Sequence, residues 1–325
     1  MNFRTTASRA LRLLAAVGAL AALASCGGGG GLVEPFVPTR ILAFGDELST
    51  ITADGRKYSV NAFKITDTTT TPPTESTTEL DCTRNPIWIQ SVAAAFGLRF
   101  DRCLGTATAA TGQVLAQPGA KVADFAAQIA AVQGEALGAK DIVIAMFGMN
   151  DILELYGRYP ASTREQLLSE ARARGNTLGA QVNAIAKAGT PIVILTVPDL
   201  GLSPYALAQN TDTGDATRAA LLSELVAAFN NRMSVTLIND GRLIGLVYTD
   251  VEMQTQVKFP SVYGLANVTA AACNAGVAAQ DCTTATLVSG ATSTSYLWAT
   301  ATLPGPSFQA RMGTQAAFRA RNNPF

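Results

Sequence analysis

Histidine is absent from all 325 residues. The chain therefore lacks the side chain that most often serves as a general base near neutral pH, and the commonest nitrogen ligand of zinc. Charge is also scarce, with Asp, Glu, Lys and Arg together making up 15%. They form no basic stripe of the kind that binds nucleic acid. No dense carboxylate run suggests a calcium loop, and no glycine-rich loop precedes a Lys-Ser or Lys-Thr pair. Metal, nucleotide and nucleic acid are thus not expected as ligands, and no cofactor is expected.

Long apolar runs are missing except at the amino end. There Arg4, Arg9 and Arg12 precede an apolar run from Leu11 to Leu23 that is too short to span a membrane comfortably. It ends in Leu23-Ala24-Ser25-Cys26, which resembles a bacterial lipobox. Residues 1–25 then read as a signal segment, Cys26 as the lipidated residue, 26–38 as a glycine-rich tether and 39–325 as a single domain. Membrane contact is expected through the N-terminal lipid. Gly27 is not an aspartate, so by analogy with other Gram-negative lipoproteins the expected location is the outer membrane, facing the periplasm or the cell surface. Removing Arg4, Arg9 and Arg12 from the 24 basic residues leaves 21 against 24 acidic ones, a chain close to neutral.

Five cysteines are an odd number until Cys26 is assigned to lipid. Four cysteines allow three pairings in an oxidising compartment. Local pairing of Cys82 with Cys103 and of Cys273 with Cys282 is the expected one, because the latter two bracket a short loop.

Strand and helix patterns alternate along the rest of the chain. Arg40–Phe44, Asp141–Phe147, Pro191–Val197 and Ile244–Tyr248 are short apolar runs bounded by turn residues, as expected of strands covered on both faces. Between them, Ile87–Phe96 reads as a helix, Val122, Phe125, Ile129 and Val132 share a helical face, and so do Leu178, Val182 and Ile185, then Leu221, Leu222, Leu225, Val226 and Phe229. The threonine-rich stretch 66–78, with Pro72-Pro73, reads as an irregular surface loop or lid. The alternation predicts an α/β fold with a mainly parallel sheet and helices on both faces, and ligands beyond the carboxyl ends of the strands.

Five ordered blocks then carry a family resemblance. Phe44-Gly45-Asp46-Glu47-Leu48-Ser49 is similar to the first block of SGNH/GDSL hydrolases, with Glu47 where the family has its nucleophilic serine. Ala116-Gln117-Pro118-Gly119-Ala120-Lys121-Val122 resembles the second block, with Pro118 replacing its first glycine. Phe147-Gly148-Met149-Asn150-Asp151 matches the third, and Val197–Gly201 and Tyr263–Val268 match further stretches of the bacterial secreted esterases. In the last block, Tyr296-Leu297-Trp298-Ala299-Thr300-Ala301-Thr302-Leu303-Pro304, the family's aspartate falls on Thr300 and its histidine on Leu303. The resemblance implies a flavodoxin-like SGNH-hydrolase fold, a three-layer α/β/α sandwich. It also implies an oxyanion hole made by the amide of Glu47, by Gly119 and by Asn150, with Asp151 beside it.

No member of the triad remains. A serine hydrolase acts through nucleophile, base and orienting carboxylate as one unit, so losses are not additive. The expected function is a lipid-anchored binding or accessory protein with an inactive esterase-like fold, its old cleft open to an acyl-ester, lipid or glycan ligand. The alternative is a weakly active ester hydrolase built on carboxylates. Glu47 accordingly has three readings. It is a self-satisfied carboxylate filling the oxyanion position, or a ligand-binding carboxylate helped by Asn150 and Asp151, or half of an acid/base pair with Asp46 or Asp151. If the family's donor were the first glycine, Pro118 would remove it, since proline has no N–H. Asp46 and Asp151 read otherwise as braces, and Ser49 as a turn hydroxyl without a base.

Overall fold

The apolar run that opens the domain becomes β1 (Arg40–Gly45), the second strand of a five-stranded sheet. The other strands follow in chain order: β2 (Phe63–Asp67), β3 (Thr74–Leu80), β4 (Gly112–Val114), β5 (Asp141–Met146), β6 (Ile192–Leu195), β7 (Ile244–Val247), β8 (Asn267–Ala271) and β9 (Tyr296–Trp298). The large sheet has the order β4-β1-β5-β6-β7, and every pairing in it is parallel. Reversal of strand order beside β1 is the doubly wound arrangement in which ligands sit at the carboxyl edge. Ile41–Phe44, Ile142–Ala145 and Ile192–Leu195 are all completely buried, as strands covered by helices on both faces must be.

The helices are α1 (Trp88–Ala95), α2 (Phe125–Ala130), α3 (Met149–Gly157), α4 (Arg164–Lys187), α5 (Pro204–Asp212), α6 (Arg218–Thr236), α7 (Thr249–Lys258) and α8 (Pro306–Asn322). The long pair α4 and α6 pack side by side, and α1 packs along α8. The result is an α/β fold with a central parallel sheet between helical layers. The computed structural model describes residues 35–322; the expected signal segment, Cys26 and most of the expected tether lie outside the described residues. From Phe36 the chain forms one compact unit with its own apolar core and two disulfides, which is what a unit needs to fold by itself. No helix among the described residues is long and apolar enough to cross a membrane.

Both local disulfides are present, Cys82–Cys103 and Cys273–Cys282, with Cα atoms 5.8 and 5.9 Å apart. The stretch 66–78 is not an irregular loop. It belongs to an antiparallel hairpin in which Phe63 faces Leu80 and Asp67 faces Thr74. Threonine is β-branched and fits a pleated strand, so the prolines mark only the turn of that hairpin. Arg84 anchors it through an ion pair to Glu75 at 2.7 Å, and Thr284 donates to the same carboxylate. The face beginning at Val122 is also split: a 3₁₀ turn over Val122–Asp124 precedes α2, which ends before Val132.

Candidate functional site

Three strand ends build the site. β1 ends at Gly45 with φ 141°, and a Cβ there would lie 2.3 Å from the Met146 carbonyl oxygen. Glycine is therefore required where the chain turns between β1 and β5. The buried Gln128 of α2 holds this turn from both sides. It accepts from the Gly45 N–H at 2.9 Å, and its amide donates to the Gly45 carbonyl at 2.8 Å. Asp46 then caps a 3₁₀ turn over Glu47–Ser49, its Oδ1 accepting from the Leu48 N–H at 3.1 Å. Asp46 is completely buried, and its Oδ2 has no partner. Burial, with the charges of Glu47 and Asp151 adding, pushes its carboxyl well above the ordinary carboxylate range.

β5 leads into Gly148, which at φ 120° precedes α3. A Cβ at Gly148 would meet the Phe229 ring at 2.5 Å. The turn delivers Asn150 and Asp151 to the first turn of α3. After β4, the Gln117 N–H donates to the Gly45 carbonyl at 3.0 Å, which fixes the loop carrying Gly119 against β1.

These elements converge on one atom. Glu47 Oε2 accepts from the Gly119 N–H at 2.9 Å and from Asn150 Nδ2 at 2.9 Å. Asn150 also donates to the Ala120 carbonyl at 3.2 Å. Pro118 lies one residue before the donating amide, so it takes nothing from this cluster. Asp151 does not join it. One of its oxygens accepts from the Val122 N–H at 2.9 Å, and the other faces Arg174 at 3.3 Å. It ties α3 to the second block and to α4, and burial raises its carboxyl despite these partners.

Thr300 and Leu303 close a tight turn after β9. Thr300 Oγ1 accepts from the Leu303 N–H at 3.3 Å, and the Leu303 carbonyl accepts from the amides of Ala299 and Thr300. The Leu303 side chain is buried in the core. The segment Lys57–Asn61 runs between this turn and Glu47: Ser59 donates to the Pro304 carbonyl at 3.2 Å, and the Tyr58 phenol is raised by burial and by the Glu47 charge. The neighbouring Lys57 is buried with its Nζ donating to the Cys82, Arg84 and Asn85 carbonyls. Desolvation lowers it to about 8. Ser49 is buried and accepts from Trp88 Nε1 at 3.2 Å, which occupies the hydroxyl in holding α1.

The parallel sheet order and the convergence of three strand ends are those that the SGNH/GDSL resemblance implies. The positions that the resemblance assigns to nucleophile, aspartate and histidine hold a carboxylate, a hydroxyl and an alkyl chain, and no group in the cluster is an imidazole. The sequence reading missed Gln128, Trp88 and Arg174. Gln128 had a signal, as the polar residue one turn after Phe125 on a buried helix; the other two had none.

No protein-family model matches the chain, and no curated protein matches it. Solved structures similar to it include a member of the lipolytic G-D-S-L family from Veillonella parvula, 12% identical, covering 85% of this chain and 95% of that one at a TM-score of 0.39. An acetylxylan esterase from Geobacillus stearothermophilus is 15% identical, over 88% of this chain and 96% of that one, at 0.39. An α/β hydrolase from the metagenome of Lake Arreo is also 15% identical, over 91% and 100%, at 0.41. Overlap this loose says nothing about chemistry.

Proposed function

We propose that this chain is a lipid-anchored envelope protein with an esterase-like fold that binds rather than hydrolyses, its oxyanion position taken by its own Glu47 carboxylate. The observation that carries the reading is the pair of 2.9 Å bonds that Gly119 and Asn150 make to Glu47 Oε2. In an acyl-transfer enzyme such donors await the charge that develops in the transition state. Here they are engaged by the side chain of Glu47, which occupies the place a developing oxyanion would need. The loss of any base beside the turn adds to this, because an alkyl chain at Leu303 can take no proton.

The chemistry of what remains points to a ligand with hydroxyl or ammonium donors, since Glu47 Oε1 has no hydrogen bond among the described residues. An acyl-ester, lipid or glycan seated over Glu47 and Tyr58 would meet one acceptor and one aromatic ring.

A second reading, weak ester hydrolysis by paired carboxylates, is favoured by one observation. Asp46 holds its proton high beside Glu47, the division of roles that acid/base pairs use. Against it, Asp46 is completely buried and bonded to the turn.

The test is hydrolysis of p-nitrophenyl acetate and butyrate, with labelling by a fluorophosphonate. The wild type is expected to show neither, and the Glu47→Ser, Thr300→Asp, Leu303→His triple variant to gain turnover at least about 10³-fold over it. Robust wild-type turnover abolished by Glu47→Gln overturns the binding reading in favour of the hydrolase.

A further inference from the structure

The two longest helices, α4 and α6, lie close because glycine faces the seam between them. A Cβ at Gly175 would lie 2.2 Å from the Phe229 carbonyl oxygen, and one at Gly179 would lie 2.7 Å from Thr236 Cβ. Arg164 meets Glu224 near the start of both helices, and farther along Asn176 meets Arg232, so the two run parallel. Between them lies a groove of about 440 Å³. From α4 it takes Arg164, Leu168 and Arg172, every fourth residue and so a single helical face. From α6 come Ala227, Ala228, Arg232 and Val235. Leu168 is buried, the two alanines are too small to fill the space, and Val235 is 71% exposed.

We propose that this groove is a docking site for an acidic amphipathic helix of a partner protein. It shares no residue with the Glu47 cluster, so it stands whatever that cluster binds.

Charge is the first argument. Three guanidiniums line the groove against one carboxylate, Glu224. Arg164 is paired with Glu224 at 2.6 Å and lies 3.7 Å from Glu165. Arg232 donates its Nε to Asn176 Oδ1, a neutral acceptor, at 3.2 Å, and has no ion pair among the described residues. Arg172 has neither a hydrogen bond nor an ion pair among the described residues. Its neighbours on α4 are matched instead: Glu170 meets Arg158, and Arg174 meets Asp151 and Glu154. The helix dipole does not explain these arginines. Arg164 stands in the first turn of α4, where a cation is disfavoured, and Arg172 is mid-helix.

Shape is the second argument. Rows of every fourth residue on two neighbouring helices leave a furrow that takes a third helix, and small residues let its axis come near. Apolar side chains of that helix would cover Leu168, Ala228 and Val235. Carboxylates on its flanks would reach Arg172 from one wall and Arg232 from the other, and a guanidinium fork takes a carboxylate with two parallel bonds. A second copy of this chain fits less well, because a two-fold contact presents the same arginines from both sides.

The test uses the unit from Phe36 onward, which has its own core and both disulfides. The probe is a fluorescein-labelled synthetic helix with leucine and alanine on one face and glutamate on the flanks; its counterpart carries lysine for glutamate. Anisotropy should show the acidic helix binding at least about tenfold more tightly than the basic one, and more weakly as salt rises. The Arg172→Glu, Arg232→Glu double variant should lose at least about tenfold. Ala227→Trp fills the groove without changing its charge and should lose binding as well, while Arg319→Glu, outside the groove, should change nothing. Circular dichroism checks that each variant is folded. Failure of the acidic helix to bind, equal binding of both helices, or undiminished binding by either groove variant overturns the proposal. Binding to phosphatidylglycerol vesicles through these arginines, without binding of the acidic helix, assigns the groove to a lipid surface. A dimer that the double variant dissolves assigns it to a second copy. Either result overturns the proposal too.

Discussion

At the carboxyl edge of the sheet, Asp46, Glu47 and Asp151 lie against Leu48, Gly119, Asn150 and Val122, whose N–H groups they accept from. At the amino edge, Lys140, Lys187, Arg319 and Arg321 face solvent without ion pairs among the described residues. One edge is negative, each of its three carboxylates accepting at least one N–H; the other carries cations without ion pairs, although Arg321 donates to the Ala95 carbonyl and stacks on Phe96. A buried or half-buried charge must be met by donors held in place, because an unmet one is costly. The carboxyl edge therefore needs rigid turns, whereas the amino edge needs only exposure. An enzyme would leave its donors at the carboxyl edge waiting for substrate. Here they are already engaged.

If that contrast is right, substitutions at the two edges should differ steeply in cost. Gly148→Ala should cost the most, more than about 3 kcal/mol, since its Cβ would meet Phe229 at 2.5 Å in a φ region that only glycine accepts readily. Urea unfolding checks this, and a loss under about 1 kcal/mol would show the turn to be pliable. Asp151→Ala should cost about 2–3 kcal/mol, because it strips the Val122 N–H and leaves the partly exposed Arg174 with Glu154 and the residue-151 carbonyl.

Asp46 offers a sharper test through pH. Its folded carboxyl is raised above the unfolded value, so the folded chain keeps a proton that the unfolded chain releases near pH 4. Asp46 therefore contributes stability at low pH that is lost as pH climbs from about 4 through the raised folded value. Asp46→Asn should remove this slope, so that the variant gains stability on the wild type as pH rises above about 4, read as the difference between the two across the titration. No difference between the two curves would mean that Asp46 is ionised in the fold. At the amino edge, Arg319→Glu and Lys140→Glu should move stability by no more than about 0.5 kcal/mol in the same assay. A larger loss would mean that these cations hold the fold together rather than face solvent.

The five strands of the large sheet were legible because burial on both faces writes itself as unbroken apolar runs, such as Ile142–Ala145 and Ile192–Leu195. The β2–β3 hairpin was not, because exposed threonines and prolines have the composition of a loop whichever way their backbone runs. In the site, the blocks marked Glu47, Gly119 and Asn150 as neighbours by resemblance. Asp151 was placed beside them as well, yet it points to Val122 and Arg174. A side chain's direction on the first turn of α3 is set by that turn and by α4, which no local motif records. Whether Pro118 removed a donor stayed open for the same reason, since motif spacing does not say which amide of a loop turns inward.

From residue order alone come the absence of imidazole, the replacement of all three triad positions at Glu47, Thr300 and Leu303, and the α/β alternation with its local cysteine pairs. These are facts of composition and short-range pattern, and no folding is needed to read them. Where the Glu47 carboxylate goes is a different kind of fact. Its donors lie 72 and 103 residues away along the chain. They meet it only because β4 and β5 flank β1 in the sheet and end at the same edge. Hydrogen bonds between such distant groups depend on strand order and on the inward turn of one amide, and those exist only once the sheet is assembled.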